Sequence, residues 1–280
     1  MKILAIDSSG MPASVAVCED GTLLAEYTVD FKRTHSQTLL PMMDEVKRQL
    51  ELDLSSVDVI AVAAGPGSFT GLRIGSATAK GIGLALDRPL ISVPTLEGMA
   101  YNFYGSSDII VPMMDARRNQ VFTGIYTFRM AEADRGLQQM EGEMAEPGRG
   151  LQQTEDEMSE AGRSLQQTED GDPLCVLLDQ TPVDVIGLCE KLNRLSEETG
   201  RVPLLLGDGA SVYHDLIEEH LCVPHLSAPP HLARQKAGSV AVRAMELARQ
   251  GKLETAAAHR PEYLRVSQAE RVRAQKQGGK

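Results

Sequence analysis

Histidine and cysteine crowd one short stretch of this sequence: His220, Cys222, His225 and His231 stand within twelve residues. These side chains can ligate zinc, but Pro224, Pro229 and Pro230 interrupt the stretch and its spacing matches no common zinc site. The remaining cysteines, Cys18, Cys175 and Cys189, form no C-x-x-C pair, so reduced and partly buried thiols are expected. Ser68 and Thr70 come shortly after Gly67 without making a G-x-S-x-G elbow, and helix capping accounts for them. His35 stands near the start of a predicted helix. A general-base role there needs a nucleophile or substrate beside it, so the residue reads as a hydrogen-bonding structural histidine. Gly207-Asp208-Gly209 follows a predicted strand; its backbone N–H groups can face a nucleotide, or it can be ordinary turn punctuation. Asp7 closes the first predicted strand beside Ser8, Ser9 and Gly10.

The elements that position these residues follow from hydrophobic period. Lys2 to Ile6, Ser14 to Cys18 and Leu23 to Val29 read as strands, the latter two turning at Glu19-Asp20-Gly21. Leu39, Met43, Val46 and Leu50 recur at helical spacing over residues 34–50, with Thr34 or Ser36 as cap and Pro41 as a kink. Val57 to Ala64 is an uninterrupted apolar strand that runs into Gly65-Pro66-Gly67. In the helix predicted over 70–86, Gly71, Gly75, Ala79 and Gly83 stand four apart and leave one face almost bare. Such a ridge lets another backbone approach closely, either the chain's own sheet or another subunit.

A strand at Pro89 to Val93 and a helix at Thr95 to Tyr104 complete one unit. A second unit opens with strands at Ile109 to Met114, Val121 to Phe128 and Leu174 to Leu178. Helices at Val183 to Leu195 and Ala210 to Leu221 flank a strand at Val202 to Leu206, and a helix at Ala237 to Gln250 closes the pattern. Two units with similar openings predict a duplicated mixed α/β fold of the actin and sugar-kinase type. The expected divisions are 1–104, 105–232, a closing segment 233–265, and a disordered basic tail 266–280.

With 280 residues and 42% hydrophobic content the chain can bury full cores. The absence of a long apolar run or signal pattern predicts a soluble, cytoplasmic protein. Net charge is −11, and residues 135–170 concentrate it, with three arginines against nine acids. That stretch is a tandem repeat of 14-residue period, RGLQQMEGEMAEPG, RGLQQTEDEMSEAG, RSLQQTEDGDP. One apolar residue per heptad is too little for a coiled-coil seam, and its glycines oppose helix, so an acidic surface insertion is expected. From Arg260 to Lys280, six basic residues stand against two acids, a composition able to touch nucleic acid but usually just solvated.

The segments IDSS (Ile6 to Ser9), HSQTLLP (His35 to Pro41), GPGSFTGLRIG (Gly65 to Gly75), DARRNQVFTGIY (Asp115 to Tyr126), GDGA (Gly207 to Ala210) and PEYLR (Pro261 to Arg265) stand in the order seen in the TsaB family, which the chain resembles. The resemblance implies a two-domain fold of the actin-like ATPase superfamily, built from duplicated ribonuclease-H-like units. It also implies a scaffold role in making threonylcarbamoyladenosine beside the tRNA anticodon. Implied partners are a TsaD-like catalytic subunit and a TsaE-like ATPase, with a homodimer when alone, and tRNA contact running through the assembly. On this resemblance the pairing surface falls on His35, Leu39, Leu40, Met43 and Val46 of the first helix and on Phe69, Leu72, Ile74, Gly75 and Ala79 of the second.

Where the resembling catalytic paralogue has H-L-E-G-H-A, with two metal-binding histidines a helical turn apart, this chain has Thr95-Leu96-Glu97-Gly98-Met99-Ala100. A threonine hydroxyl and a thioether are a poor hard-metal pair. The expectation is therefore a non-catalytic subunit that binds no cofactor alone, with ATP, magnesium and a metal held by its partners. Asp7, Ser8, Ser9, Gly207, Asp208 and Gly209 mark a nucleotide cleft that the resemblance implies and that is expected to be vestigial. The rival reading is a peptidase-like enzyme or small-molecule kinase of the same superfold, although no nucleophile–base set is evident.

Overall fold

A computed structural model describes residues 1–31, 34–129 and 171–264. The tandem repeat at 135–170 and the tail at 266–280 lie outside the described residues.

The first half opens with β1 (Lys2–Asp7), β2 (Ala13–Glu19) and β3 (Thr22–Val29), continues through α1 (His35–Gln49), β4 (Val59–Gly65) and α2 (Phe69–Leu86), and closes with β5 (Leu90–Pro94) and α3 (Thr95–Ala100). The second half runs β6 (Ile109–Arg117), β7 (Gln120–Phe128), β8 (Leu174–Asp184), α4 (Val185–Thr199), β9 (Pro203–Leu206), α5 (Asp208–Val212), α6 (His214–His220) and β10 (Leu226–Ser227). The helix α7 (Ala237–Arg249) follows.

The two sheets have orders β3-β2-β1-β4-β5 and β10-β9-β6-β7-β8. Counted from β6, the second reads 5-4-1-2-3, the first order in reverse listing. Pairing senses agree as well: β1 is antiparallel to β2 and parallel to β4, as β6 is to β7 and β9. This is the duplicated ribonuclease-H-like unit of the actin-like fold.

Side chains alternate across each sheet, so every central strand feeds two cores. Ile3 and Ala5 face α7, whereas Leu4 and Ile6 face α1 and α2. In the second sheet Ile109, Val111 and Met113 face α4 and α6, whereas Ile110 and Met114 face α3. Val242 of α7 packs against both inner cores, so α3 and α7 form the layer between the sheets. The segment expected to close the chain as a separate piece thus carries a helix of the first sheet's core.

Several boundaries differ from the sequence reading for local reasons. The helix expected to reach Tyr104 ends at Ala100 and tightens into a 3-10 turn over Tyr101–Phe103. The helix expected over 210–221 breaks at Tyr213, whose φ of −109° and ψ of 24° lie off the helical region. β8 runs to Asp184, because β7 pairs with it along its whole length, and the Asp184 carboxylate then caps α4 by accepting from the Gly187 N–H.

Candidate functional site

Two hairpins correspond in the duplicated plan, one leaving β1 and one leaving β6. In the first, Asp7 ends β1 with 1% exposure, and its Oδ1 accepts from the Ser9 N–H (2.9 Å) and the Ser9 hydroxyl (2.7 Å). Burial pushes the Asp7 carboxyl up to about 6, against the pull of the Ser9 hydrogen bonds and nearby His35. The Ser8 hydroxyl donates to the Gly71 carbonyl (2.9 Å), which ties the loop to α2. Above Gly10 lies the Gln235 side chain: a Cβ at Gly10 would lie 2.6 Å from its carboxamide, and Gln235 is 3% exposed. A nucleotide with magnesium, which the resemblance implies at this loop, does not fit these residues as they stand. The carboxylate is turned onto its own loop, and Gln235 fills the glycine cradle.

In the second hairpin Asp115 repeats the motif, its Oδ1 accepting from the Arg117 N–H (2.7 Å) and the Tyr213 hydroxyl (2.8 Å). Asp208 accepts from the Asp115 N–H (3.2 Å) through its own Oδ1. Burial, then the bond to Asp115, raises the Tyr213 phenol. The Gly207 N–H is spent on the Ala233 carbonyl (2.8 Å), and Gly207 adopts a φ of 98° with its α-carbon pressed against the Met113 carbonyl. Gly207 and Asp208 therefore latch the hairpin, and Gly209 packs on Val121 and Met113. Each of the three thus has a structural part in this turn.

The bare face of α2 is filled by this chain itself. A Cβ at Gly71 would strike the Ser8 carbonyl, one at Gly75 the Ser8 hydroxyl, and one at Gly83 the Leu90 side chain. Gly65, at φ 131°, meets the Glu262 carbonyl, and the Glu262 N–H donates to the Ala64 carbonyl (2.7 Å). The residues expected at a partner surface divide accordingly. Leu39, Val46, Leu72, Gly75 and Ala79 are buried in the chain's own core, which corrects their assignment to the surface. Met43 and Ile74 are half-buried against that same core. His35 is half-buried, its Nε2 3.0 Å from the Gly10 carbonyl. Leu40 and Phe69 are exposed, by 59% and 39%. Ser68 caps α2 by accepting from the Gly71 N–H (3.3 Å).

Thr95 and Met99 are also spent internally. The Thr95 hydroxyl accepts from the Gly65 N–H (3.1 Å), and Met99 lies in the core between α3 and the second sheet. Glu97 pairs with Arg243 of α7 (2.6 Å), and Arg243 also holds Asp172 (2.8 Å). Burial raises the Glu97 carboxyl despite Arg243. Asp172 is lowered, the hydrogen bonds from Arg243 and Gln250 outweighing its burial. Among the described residues, no three His, Cys, Asp or Glu side chains are grouped to hold a metal ion, the His220–His231 stretch included. No described helix is long and apolar enough to cross a membrane.

Three features escaped the sequence. Gln235 gave no signal. Arg243 did: it lies among Val240, Ala241, Ala244 and Leu247, a charge on an otherwise buried stripe. The third is a groove of about 740 Å³ between β3 and α1, lined by Tyr27, Val29, Phe31, Gln37, Thr38, Pro41, Met42 and Glu45. Its rim holds Phe31 (66% exposed) and Tyr27 (41%).

The family model described as "TsaD: tRNA N6-adenosine threonylcarbamoyltransferase" matches residues 23–179. The tRNA threonylcarbamoyladenosine biosynthesis protein TsaB of Bacillus subtilis is 38% identical over 129 residues, 46% of this chain and 56% of that protein. The Escherichia coli protein of the same name is 36% identical over 128 residues, 45% of this chain and 55% of that one. The chain thus spans about half the length of the curated relatives it matches. A Pseudomonas aeruginosa structure, titled an uncharacterized protein with similarity to peptidase YeaZ, aligns with a TM-score of 0.66 at 23% identity. It covers 94% of this chain and 99% of that one, a likeness of fold.

Proposed function

The chain belongs to the TsaD family of tRNA N6-adenosine threonylcarbamoyltransferases, and from that premise we propose that it serves tRNA threonylcarbamoyladenosine biosynthesis as a scaffold without transfer chemistry of its own. The observation that carries the reading is α3. At the spacing where the resembling catalytic paralogue places two metal-binding histidines, this chain has a threonine hydroxyl bonded to Gly65 and a thioether buried in a core. Gln235 over Gly10 supports it, since a nucleotide enzyme needs that cradle open.

The partners in this reading are a TsaD-like catalytic subunit and a TsaE-like ATPase, with a second copy of the chain when neither is present. The docking face we assign is the outward sides of α1 and α2 with the β3 groove, where Tyr27, Phe31, Leu40 and Phe69 are exposed, in place of the inward residues of the two helices. Large aromatic and aliphatic anchors in a groove are what a partner's hot spots fit.

Depleting the chain in its host is expected to lower tRNA threonylcarbamoyladenosine, read by nucleoside mass spectrometry; unchanged content would overturn the assignment. Calorimetric titration with magnesium ATP is expected to give no micromolar binding, and binding with phosphate release would sink the scaffold reading. Leu40→Asp with Phe31→Asp should abolish co-purification of the catalytic subunit while leaving the thermal midpoint of the isolated chain within about 2 °C, because exposed substitutions cost little stability.

A further inference from the structure

The β6–β7 hairpin carries a feature that its role as a latch does not require. Arg117, Arg118 and Asn119 are consecutive, all exposed, and all left-handed, with φ of 65°, 58° and 56°. Two-residue hairpin turns of this hand favour Asn and Gly, because a Cβ crowds the carbonyl in that region. Arginine at two of the three positions is an unfavourable backbone choice whose return has to come from the side chains.

The support beneath the tip is rigid. Asp115 holds the Arg117 N–H and the Tyr213 hydroxyl, Asp208 holds the Asp115 N–H, and the Asn119 carbonyl accepts from the Val185 N–H (3.0 Å). Arg117 pairs with Asp115 at 3.4 Å while its side chain stays 88% exposed. The two guanidiniums therefore stand outward on a braced turn, in a chain whose net charge is −11. A net charge of that sign gives no general attraction to a polyanion, so a fixed local pair of cations is one way for such a chain to hold one. Guanidinium matches phosphate oxygens with paired, directed hydrogen bonds.

We propose that the tip Arg117-Arg118-Asn119 is a phosphodiester-binding element through which this chain itself contacts tRNA. The choice of RNA rests on the proposed role in tRNA modification; the choice of phosphate rests on the guanidinium pair. Backbone contacts of this kind position an RNA without reading its sequence.

The test is fluorescence anisotropy of an unmodified tRNA transcript against the full chain, alone and in the assembly co-purified from its host, across a salt series. Arg117→Asn with Arg118→Gly removes both cations and gives the turn residues it favours, so the hairpin folds at least as well. The double variant is expected to bind about 10-fold more weakly, with a log–log salt slope smaller by about 1.5 for two lost phosphate contacts. Arg117→Lys with Arg118→Lys should keep most of that slope. Equal binding by wild type and the double variant, or no tRNA binding in either preparation, overturns the proposal. So does displacement of tRNA by millimolar inorganic phosphate, which would mark a small-anion site. Loss of a co-purified protein with tRNA affinity unchanged overturns it too and assigns the tip to a protein contact. Depletion that lowers the modified nucleoside while the double variant binds tRNA normally would fail this inference and leave the proposed function standing.

Discussion

Gly71→Ala and Gly81→Ala are the same change in the same helix and are expected to move stability in opposite directions. At Gly71 a Cβ would strike the Ser8 carbonyl, with Ser68 Cβ at 3.3 Å and His35 Cδ2 at 3.2 Å, so nothing nearby yields cheaply. The obstructing oxygen belongs to a loop pinned by Ser8 Oγ to the Gly71 carbonyl (2.9 Å) and by the Ser68 N–H to the Ser9 carbonyl (2.7 Å). Overpacking costs about 1–3 kcal/mol, here at the upper end because backbone must shift. The helix propensity of alanine returns roughly 0.8–1 kcal/mol. The net loss at Gly71 is therefore about 2 kcal/mol. At Gly81 nothing lies within 4 Å of the added atom, so only the gain of about 1 kcal/mol remains. At roughly 2–4 °C per kcal/mol, scanning calorimetry on the dilute, isolated chain should read a midpoint about 4–8 °C lower for Gly71→Ala and about 2–4 °C higher for Gly81→Ala. A Gly71→Ala protein with wild-type stability that no longer assembles would refute the internal-packing account and restore the ridge as a docking surface.

Asp7→Asn should flatten a pH dependence. The folded carboxyl titrates near 6 against an ordinary value of 3.8, so the folded state holds the proton more tightly. Its stabilising share is then full below about pH 4 and lost as pH rises through 6, a change of about 3 kcal/mol. Urea unfolding at pH 4 and pH 7 should show wild type losing that much relative to the variant, and parallel profiles would contradict the burial argument. Arg243→Met should cost about 3–5 kcal/mol in the same assay by leaving Glu97 buried without its cation, and adding Glu97→Gln should recover part of it. Gly81→Gln should leave the isolated chain folded yet weaken capture of the catalytic subunit; equal capture would place the partner away from the outer face of α2.

The strands and the first two helices were legible because their apolar periods are long and regular, and the duplicated plan followed from two similar openings. Legibility stopped where period carries no information about whose atoms are opposite. Leu39, Val46 and Leu72 lie on stripes that look the same whether they face a sheet or a subunit; the structure puts Leu39 and Val46 against β1, β2 and β4 and buries Leu72 beside Gly65 at the end of β4. The Gly207 turn was equally ambiguous, since the acceptor of its N–H, the Ala233 carbonyl, lies far along the chain and meets it only in the fold. Gln235 could not be found at all, because its contact with Gly10 joins residues far apart in sequence through a single side chain. The 14-residue repeat was plain in the sequence, and its part in the molecule lies outside the described residues.

The bare face of α2 admits a backbone, and that backbone is the chain's own β1–β2 loop; this moves the docking question around the helix. The outward residues of α2 are Phe69, Arg73, Ala77, Gly81 and Leu84, spaced three or four apart. Ala77 and Gly81 make the middle of that outer stripe nearly as smooth as the inner one. At its head the Arg73 guanidinium lies 3.9 Å over the Phe69 ring and donates to the Tyr263 hydroxyl (3.3 Å), while the Tyr263 and Phe69 rings stand 5.0 Å apart. Arginine and aromatic side chains held in a fixed stack are low-entropy anchors, of the kind that dominate interface energetics. The strap Pro261–Leu264 supplies Tyr263 to that stack and closes over Gly65 with Glu262. In the proposed assembly the segment Gly65–Gly75 therefore acts indirectly. Its glycines let the strap and the β1–β2 loop pack tightly beneath α2, and that packing sets the angle at which the outer stripe is presented.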